Sequence, residues 1–362
     1  MHPQLSRVQF VFLSTWLILG TGILTMPFAI GQFVVHDAWI AALLFAFGGV
    51  VVTGVIALFR RMFPGQSLVE GYHMAFGPIV GRVASLWFLY MTFLTECFVL
   101  REVSLFLNIT VLPATPNYVV TAVFMIPVAY AVYLGAEVVG RVGEIITPLG
   151  IGITLILFLL SVQHANPSHL HPVLADGWKP ILQAGVVLWV YAWEFLFVLQ
   201  LREEVQQQRL VKDLLITILI ITLAGVVAEL TITMILGPSV TYSIYPILEV
   251  VRTIRIGDFL ERLDTFYVMG VITTIFVKLS LIHYIFTTGL SHWFGLRHYR
   301  PTVWSGAAVV WTGSLFLIHN SVSLMNFILY TAWGYFTFTA MVIPLLAVVV
   351  QWWRQRRGLH QQ

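Results

Sequence analysis

The chain has 362 residues, of which 59% are hydrophobic and only 10% charged, with a formal net charge of +3. Soluble domains carry about 25% charged residues, so this composition excludes an ordinary soluble domain and describes a multi-spanning helical membrane protein. The single cysteine, Cys97, excludes an intrachain disulfide and any CxxC motif, and no residue pattern calls for a metal or another cofactor.

Ten apolar spans can be placed in chain order. The first runs from about Val8 to Val34 and lacks the charged n-region and small-residue cleavage site of a signal peptide, so it is expected to be retained. It contains Gly20-Thr21-Gly22-Ile23-Leu24-Thr25-Met26-Pro27. In a helix interior glycine costs about 1 kcal/mol and proline about 3 kcal/mol relative to alanine. Interrupted backbone survives in a membrane only where protein or a wet cavity surrounds it. The stretch therefore reads as a broken helix whose free backbone groups face a ligand. The alternative is a proline-kinked span whose glycines allow close packing.

The second span is roughly Ala38 to Phe59, closed by Arg60-Arg61, and Pro64 to Arg82 reads as a polar linker. The third is about Val83 to Leu112, the fourth Tyr118 to Gly135, the fifth Ile145 to Gln163. A polar segment, His164 to Pro180, separates the halves. The sixth span is about Ile181 to Leu201, the seventh Leu214 to Leu236. Pro246 to Leu263 reads as an amphipathic surface helix. The eighth span is about Thr265 to Leu290, the ninth Val303 to His319, the tenth Leu324 to Trp353. With the N-terminus in the cytoplasm, most of the 19 Lys and Arg fall inside; Lys179, Arg252, Arg255 and Arg262 fall outside, and Arg101 and Lys278 lie within spans. Both termini are thus expected to be cytoplasmic.

Ten spans with a long break after the fifth suggest one transmembrane domain, 1–362, built from two inverted five-helix repeats, 8–163 and 181–353. That construction asks the sixth span to be interrupted like the first. It supplies Tyr191, Ala192, Trp193 and Glu194 at mid-span, with a carboxylate but no glycine or proline.

A charge in mid-membrane costs at least about 2.5–3.5 kcal/mol and so needs a reason. Counted along their helices, Glu96, Glu194, Lys278 and the Gly20–Pro27 stretch fall near one plane, with Arg101 and Glu229 about a turn to one side. Arg101 and Glu229 match in depth and sign and are expected to form a structural ion pair. The others form a polar centre for a zwitterionic or cationic ligand, with Thr92 one turn from Glu96. Lys278 would place an ammonium where transporters with broken helices hold a sodium ion.

Four further pieces complete the pattern: Leu100-Arg101-Glu102-Val103, Leu112-Pro113-Ala114-Thr115-Pro116, His171-Pro172-Val173-Leu174-Ala175-Asp176-Gly177 and Glu261-Arg262-Leu263-Asp264-Thr265-Phe266. With these and the glycine stretch, the chain resembles the B subunit of spore germinant receptors. That endospore germination permease family is a branch of the amino acid–polyamine–organocation transporters. The resemblance implies an all-α fold of ten transmembrane helices in two inverted repeats (LeuT-like), with the first and sixth discontinuous. It implies a non-enzymatic subunit in the spore inner membrane that binds a small germinant, such as an amino acid, beside A and C subunits, with no nucleic acid involved. Gly20, Thr21, Gly22, Ile23 and Thr25, with Tyr191, Ala192, Trp193 and Glu194, would line the site, although family members often carry glycine where this chain has Ala192. The alternatives are a proton- or sodium-coupled amino acid transporter and an ion or water channel.

Overall fold

The computed structural model describes residues 5–202, 204–254 and 263–357. Among them lie α1 (Arg7–Gly31), α2 (Ala38–Met62), α3 (Leu68–Thr110), α4 (Asn117–Leu134) and α5 (Ala136–Ser161). After a polar connection come α6 (Trp178–Trp193), α7 (Leu210–Leu236), the short α8 (Pro246–Thr253), α9 (Asp264–Phe294), α10 (Arg300–Leu317) and a final helical rod, α11 (Ser321–Arg356). Nine of these segments are long and apolar enough to cross a membrane; α10, packed among α3, α4 and α9, is the tenth long helix.

The first expectation to fail is the break in α1. The helix is continuous from Arg7 to Gly31, with Pro27 inside it. The glycines serve packing instead. A Cβ on Gly20 would lie 2.7 Å from Lys278 Cβ and 3.1 Å from the Thr274 carbonyl oxygen. α1 and α9 therefore meet nearly backbone to backbone, and that contact offsets the helix cost of glycine. Thr25 Oγ1 donates to the Thr21 carbonyl at 3.2 Å, the i−4 bond of a helix that is wound.

The interruption lies in the sixth span. α6 ends at Trp193 and the chain continues as a seven-residue 3₁₀ helix, Glu194–Gln200. Such runs seldom exceed about 3–4 residues, and a stretch of this kind within a helix marks a hinge or strain. Arg60 on α2 holds its far end, donating to the carbonyls of Leu199 at 3.1 Å and Leu201 at 2.8 Å. Neither glycine nor proline is needed, because a 3₁₀ turn keeps every residue right-handed.

Two connections also differ from expectation. The stretch from Pro64 to Arg82 is largely helical, because Ser67 and Glu70 form a reciprocal capping box that starts α3. α3 then folds sharply at Gly77 (φ 80°), so that Gly81 lies against the backbone of Tyr72 and His73. The amphipathic α8 is no surface helix: Ile247, Leu248, Val250 and Val251 are buried against α1, α5, α7 and α9. The remainder of that expected helix, with Glu261 and Arg262 of the family motif, lies outside the described residues.

Gly20→Val should lower the thermal unfolding midpoint of the protein in nanodiscs, at a cost of about 1–3 kcal/mol for overpacking. Gly54→Val, at a position where a Cβ meets nothing within 4 Å, should change it little. Equal effects of the two would remove the close α1–α9 contact as the role of Gly20.

Candidate functional site: a buried polar centre between four helices

Lys278 of α9 is fully buried, and its ammonium lies 2.8 Å from Glu194 Oε2. It also donates to Thr21 Oγ1 of α1 at 2.9 Å. Glu194 is the first residue of the 3₁₀ segment, so the change of helix type occurs at the charged residue. Tyr191, one turn earlier on α6, donates its hydroxyl to Thr25 Oγ1 at 2.8 Å. α1, α6 and α9 are thus joined through two threonines one turn apart on one face of α1.

A third charge completes the centre. Glu102 of α3 is buried, reaches the Thr25 hydroxyl and lies in the field of both Lys278 and Glu194. Its Oε1 has no hydrogen-bond partner among the described residues. Neither have the buried hydroxyls of Tyr245 and Tyr267, whose rings both stand edge-on to Phe106, one turn from Glu102. Burial, with the Glu102 charge adding to it, pushes the Tyr245 phenol above its usual range, so it stays an O–H donor. Two carboxylates face one ammonium, and three polar atoms stand unmatched. Buried polar groups are almost always hydrogen-bonded, so unmatched atoms gathered in one place mark hydrogen-bonding capacity that the described residues leave unmet.

The structure therefore brings together Thr21, Thr25, Tyr191, Glu194 and Lys278, with Gly20 shaping the approach of α9 and Ala192 packed fully inside α6. Other expected members lie elsewhere. Gly22 and Ile23 face a separate apolar cavity on another side of α1. Thr92 gives its hydroxyl to the Phe88 and Leu89 carbonyls of its own helix. Trp193 turns to α11, where its indole donates to Thr337 Oγ1 at 3.0 Å.

Glu96 is also displaced from the centre. Its Oε2 lies 2.8 Å from His283 Nδ1, and His283 Nε2 lies 3.1 Å from the Val303 carbonyl. Lys278 and His283 are five residues apart on α9, about 140° around the helix, so the two carboxylates serve different faces of it. The Val303 carbonyl only accepts, so Nε2 carries a hydrogen; a second proton joins Nδ1 to Glu96, and the pair is neutral as a whole. His283 was not a candidate from sequence, because its partner became visible only when α3 packed on α9.

The expected Arg101–Glu229 pair does not form. Arg101 donates to the His319 carbonyl at 3.0 Å. α3 packs against α4, α9, α10 and α11, whereas α7 packs against α1, α2 and α8, so matching depth did not bring the two side chains together. Glu102 was not among the expected site residues; adjacent helical residues diverge, so it reaches the centre while Arg101 beside it does not.

Lys278→Met leaves the buried Glu194 charge unpaired and should destabilise the protein by about 3–5 kcal/mol. Adding Glu194→Leu should restore much of that loss. A thermal-unfolding double-mutant cycle in nanodiscs checks both, and additive losses would show that the two side chains do not interact.

The chain matches the family described as Spore germination protein over residues 4–322. It is 28% identical over 285 residues to Spore germination protein KB of Bacillus subtilis, covering 75% of this chain and 74% of that one. It is 24% identical over 358 residues to Spore germination protein YndE of the same organism, covering 94% of each. Among solved structures it is similar to MhsT in complex with L-phenylalanine (TM-score 0.70, 13% identity, 97% of this chain and 99% of that one). It is also similar to Mhp1, a nucleobase-cation-symport-1 family transporter, in a closed conformation with bromovinylhydantoin bound (TM-score 0.64, 12% identity, 92% and 78%). The fold is that of the LeuT-type transporters. With ten long helices of this arrangement and a family match across most of its length, the chain belongs to the spore germination permease family.

Proposed function

We propose that this protein is the membrane subunit of a nutrient-germinant receptor and that it binds a small zwitterion, an amino acid, at the polar centre between α1, α3, α6 and α9. The observation that carries this reading is the grouping of Glu102, Glu194 and Lys278, fully desolvated, beside three unmatched polar atoms. A ligand ammonium would satisfy Glu102, with the Tyr245 and Tyr267 hydroxyls taking further polar groups. A ligand carboxylate would compete with Glu194 for Lys278. Because α1 is wound, its backbone N–H groups are already engaged, and the lysine takes the place that a broken helix would offer to a carboxylate.

Exchange of Glu194 for a ligand carboxylate would free the first residue of the 3₁₀ segment. Binding and the hinge are thereby linked: a ligand changes a conformational equilibrium only to the extent that it prefers one state. In this reading the halves 8–163 and 181–353 are inverted repeats, both termini are cytoplasmic, the membrane is that of the spore interior, and A and C subunits receive the signal. A second reading, a proton- or sodium-coupled amino acid transporter, is favoured by the likeness of the fold to MhsT and Mhp1. In it the Lys278 ammonium would replace a bound cation.

Equilibrium binding of labelled L-amino acids to the purified protein in nanodiscs tests the site. At least one should bind, and Glu102→Gln should weaken it by roughly tenfold or more, about 1.4 kcal/mol. Deaminated analogues that bind as tightly as the parent amino acid would remove Glu102 as the ammonium partner. Uptake into proteoliposomes that depends on an ion gradient would favour the transporter.

A further inference from the structure

Glu229 has no place in the polar centre. It is 3% exposed, near the α8 end of α7, and no donor or cation among the described residues reaches its carboxylate. It lines a cavity of about 340 Å³ bounded mainly by α1, α5, α7, α8 and α9, with Ala42 and Phe45 of α2 and Leu188 of α6 also lining it. That volume is at the lower end of the range for small-molecule sites, about 300–1,000 Å³. Trp16 and Ile23 of α1, Leu157 of α5, Ile221 of α7, Ile247 of α8 and Val271 of α9 form its walls. Three threonine hydroxyls in the lining are spent: Thr15 donates to Val11, Thr147 to Gly143 and Thr274 to Val271. The Trp16 indole is likewise taken, by Thr147. Thr154, on the exposed side of α5, and Tyr267, whose hydroxyl has no partner among the described residues, also line the cavity.

The cavity opens sideways. Ile151, Leu155, Leu223 and Val227 line it and are also well exposed on the outer surface of the bundle, so its mouth lies among lipid-facing side chains. Gly22 contributes to the floor, two residues along α1 from the Gly20 that meets Lys278, on a different face of the helix. The cavity and the polar centre thus share α1 as a wall, and Tyr267 of α9 borders both.

We propose that this lateral cavity is a second binding site, for a small single-chain amphiphile with an ammonium head and an apolar body, held by Glu229. A buried carboxylate is costly unless it is neutralised, and a cationic head entering from the lipid side supplies the charge that no described residue does. The apolar walls take the body. Among the described residues no Lys, Arg or His lines the cavity, so a head that also carries phosphate would meet Glu229 without a partner there for its own negative charge. The ligand is therefore a simple amine and not the headgroup of phosphatidylethanolamine. Because it would bear on Tyr267 and on α1 from the side away from Lys278, occupancy would influence the germinant site without touching Lys278, Glu194 or Glu102.

A photoreactive n-octylamine, with a diazirine at the end of its chain, tests this on the full-length protein in phosphatidylcholine nanodiscs. Cross-links mapped by mass spectrometry should fall on the cavity-facing residues of α1, α5 and α7. Unlabelled n-octylamine should block them at a concentration roughly tenfold lower than n-octanol does, a difference of about 1.4 kcal/mol. Glu229→Gln should erase the preference for the amine, Ala228→Phe should suppress labelling by filling the cavity, and Glu102→Gln should leave labelling unchanged, which separates this site from the polar centre. Cross-links spread over α4 and α10, or equal blocking by amine and alcohol in the unsubstituted protein, would overturn the proposal even if neither cavity variant folds. So would labelling that Glu229→Gln leaves amine-selective. Labelling abolished by phosphatidylethanolamine in the nanodisc would assign the cavity to that lipid headgroup and overturn it as well.

Discussion

The ion pair between Lys278 and Glu194 is the constraint on which the rest of this structure rests. Neither charge is tolerable alone at mid-membrane, and each comes from a different long helix. Their separation of 2.8 Å fixes the distance between α6 and α9 at that depth. The ammonium also takes the Thr21 hydroxyl, and so α1 is fixed to the same point. Gly20 follows from this geometry: with the Lys278 stem against it, no side chain fits there.

The pair also accounts for the form of the sixth span. A continuous α-helix after Trp193 would carry Glu194 and the residues beyond it on a different path. The 3₁₀ segment that begins at Glu194 tightens the chain, and Arg60 gathers the carbonyls at its end. The result is a helix that changes type at its charged residue, with both sides of the change held by charged or charge-assisted contacts. A ligand that loosens the Lys278–Glu194 contact would act directly on the residue where the helix type changes. Binding chemistry and conformational state thus meet at one carboxylate.

Around this centre the remaining buried polar groups divide by helix face. The neutral Glu96–His283 unit joins α3 to α9 and reaches α10 through the Val303 carbonyl, so it belongs to the scaffold. Arg101 caps the chain after α10 through His319. Glu229 faces the apolar lateral cavity across α1 from the centre. Glu194, Glu96 and Glu229 therefore do three different things, and the direction each side chain takes around its helix decides which.

Composition and apolar run lengths were enough to give a polytopic helical membrane protein, its long helices and the residues that must be exceptional within them: Glu96, Glu194, Glu229, Arg101 and Lys278. The motif pieces pointed to the spore germination permease family. These were legible because bilayer thickness and the cost of a buried charge act on the sequence directly. Partnerships were not legible. Arg101 and Glu229 match in depth and are opposite in sign, yet lie on helices that pack against different neighbours, while Glu102, adjacent to Arg101 in sequence, reaches the centre. The glycines around Gly20 and Gly22 look like a break when only helix propensity is weighed; the packing of α9 against Gly20 shows a close contact instead. The sixth span, without glycine or proline, changes helix type because Lys278 and Arg60 hold it from outside. A single sequence records depth and polarity, but azimuth and neighbour identity are settled only when the helices pack, and in this protein those two decide what every buried charge does.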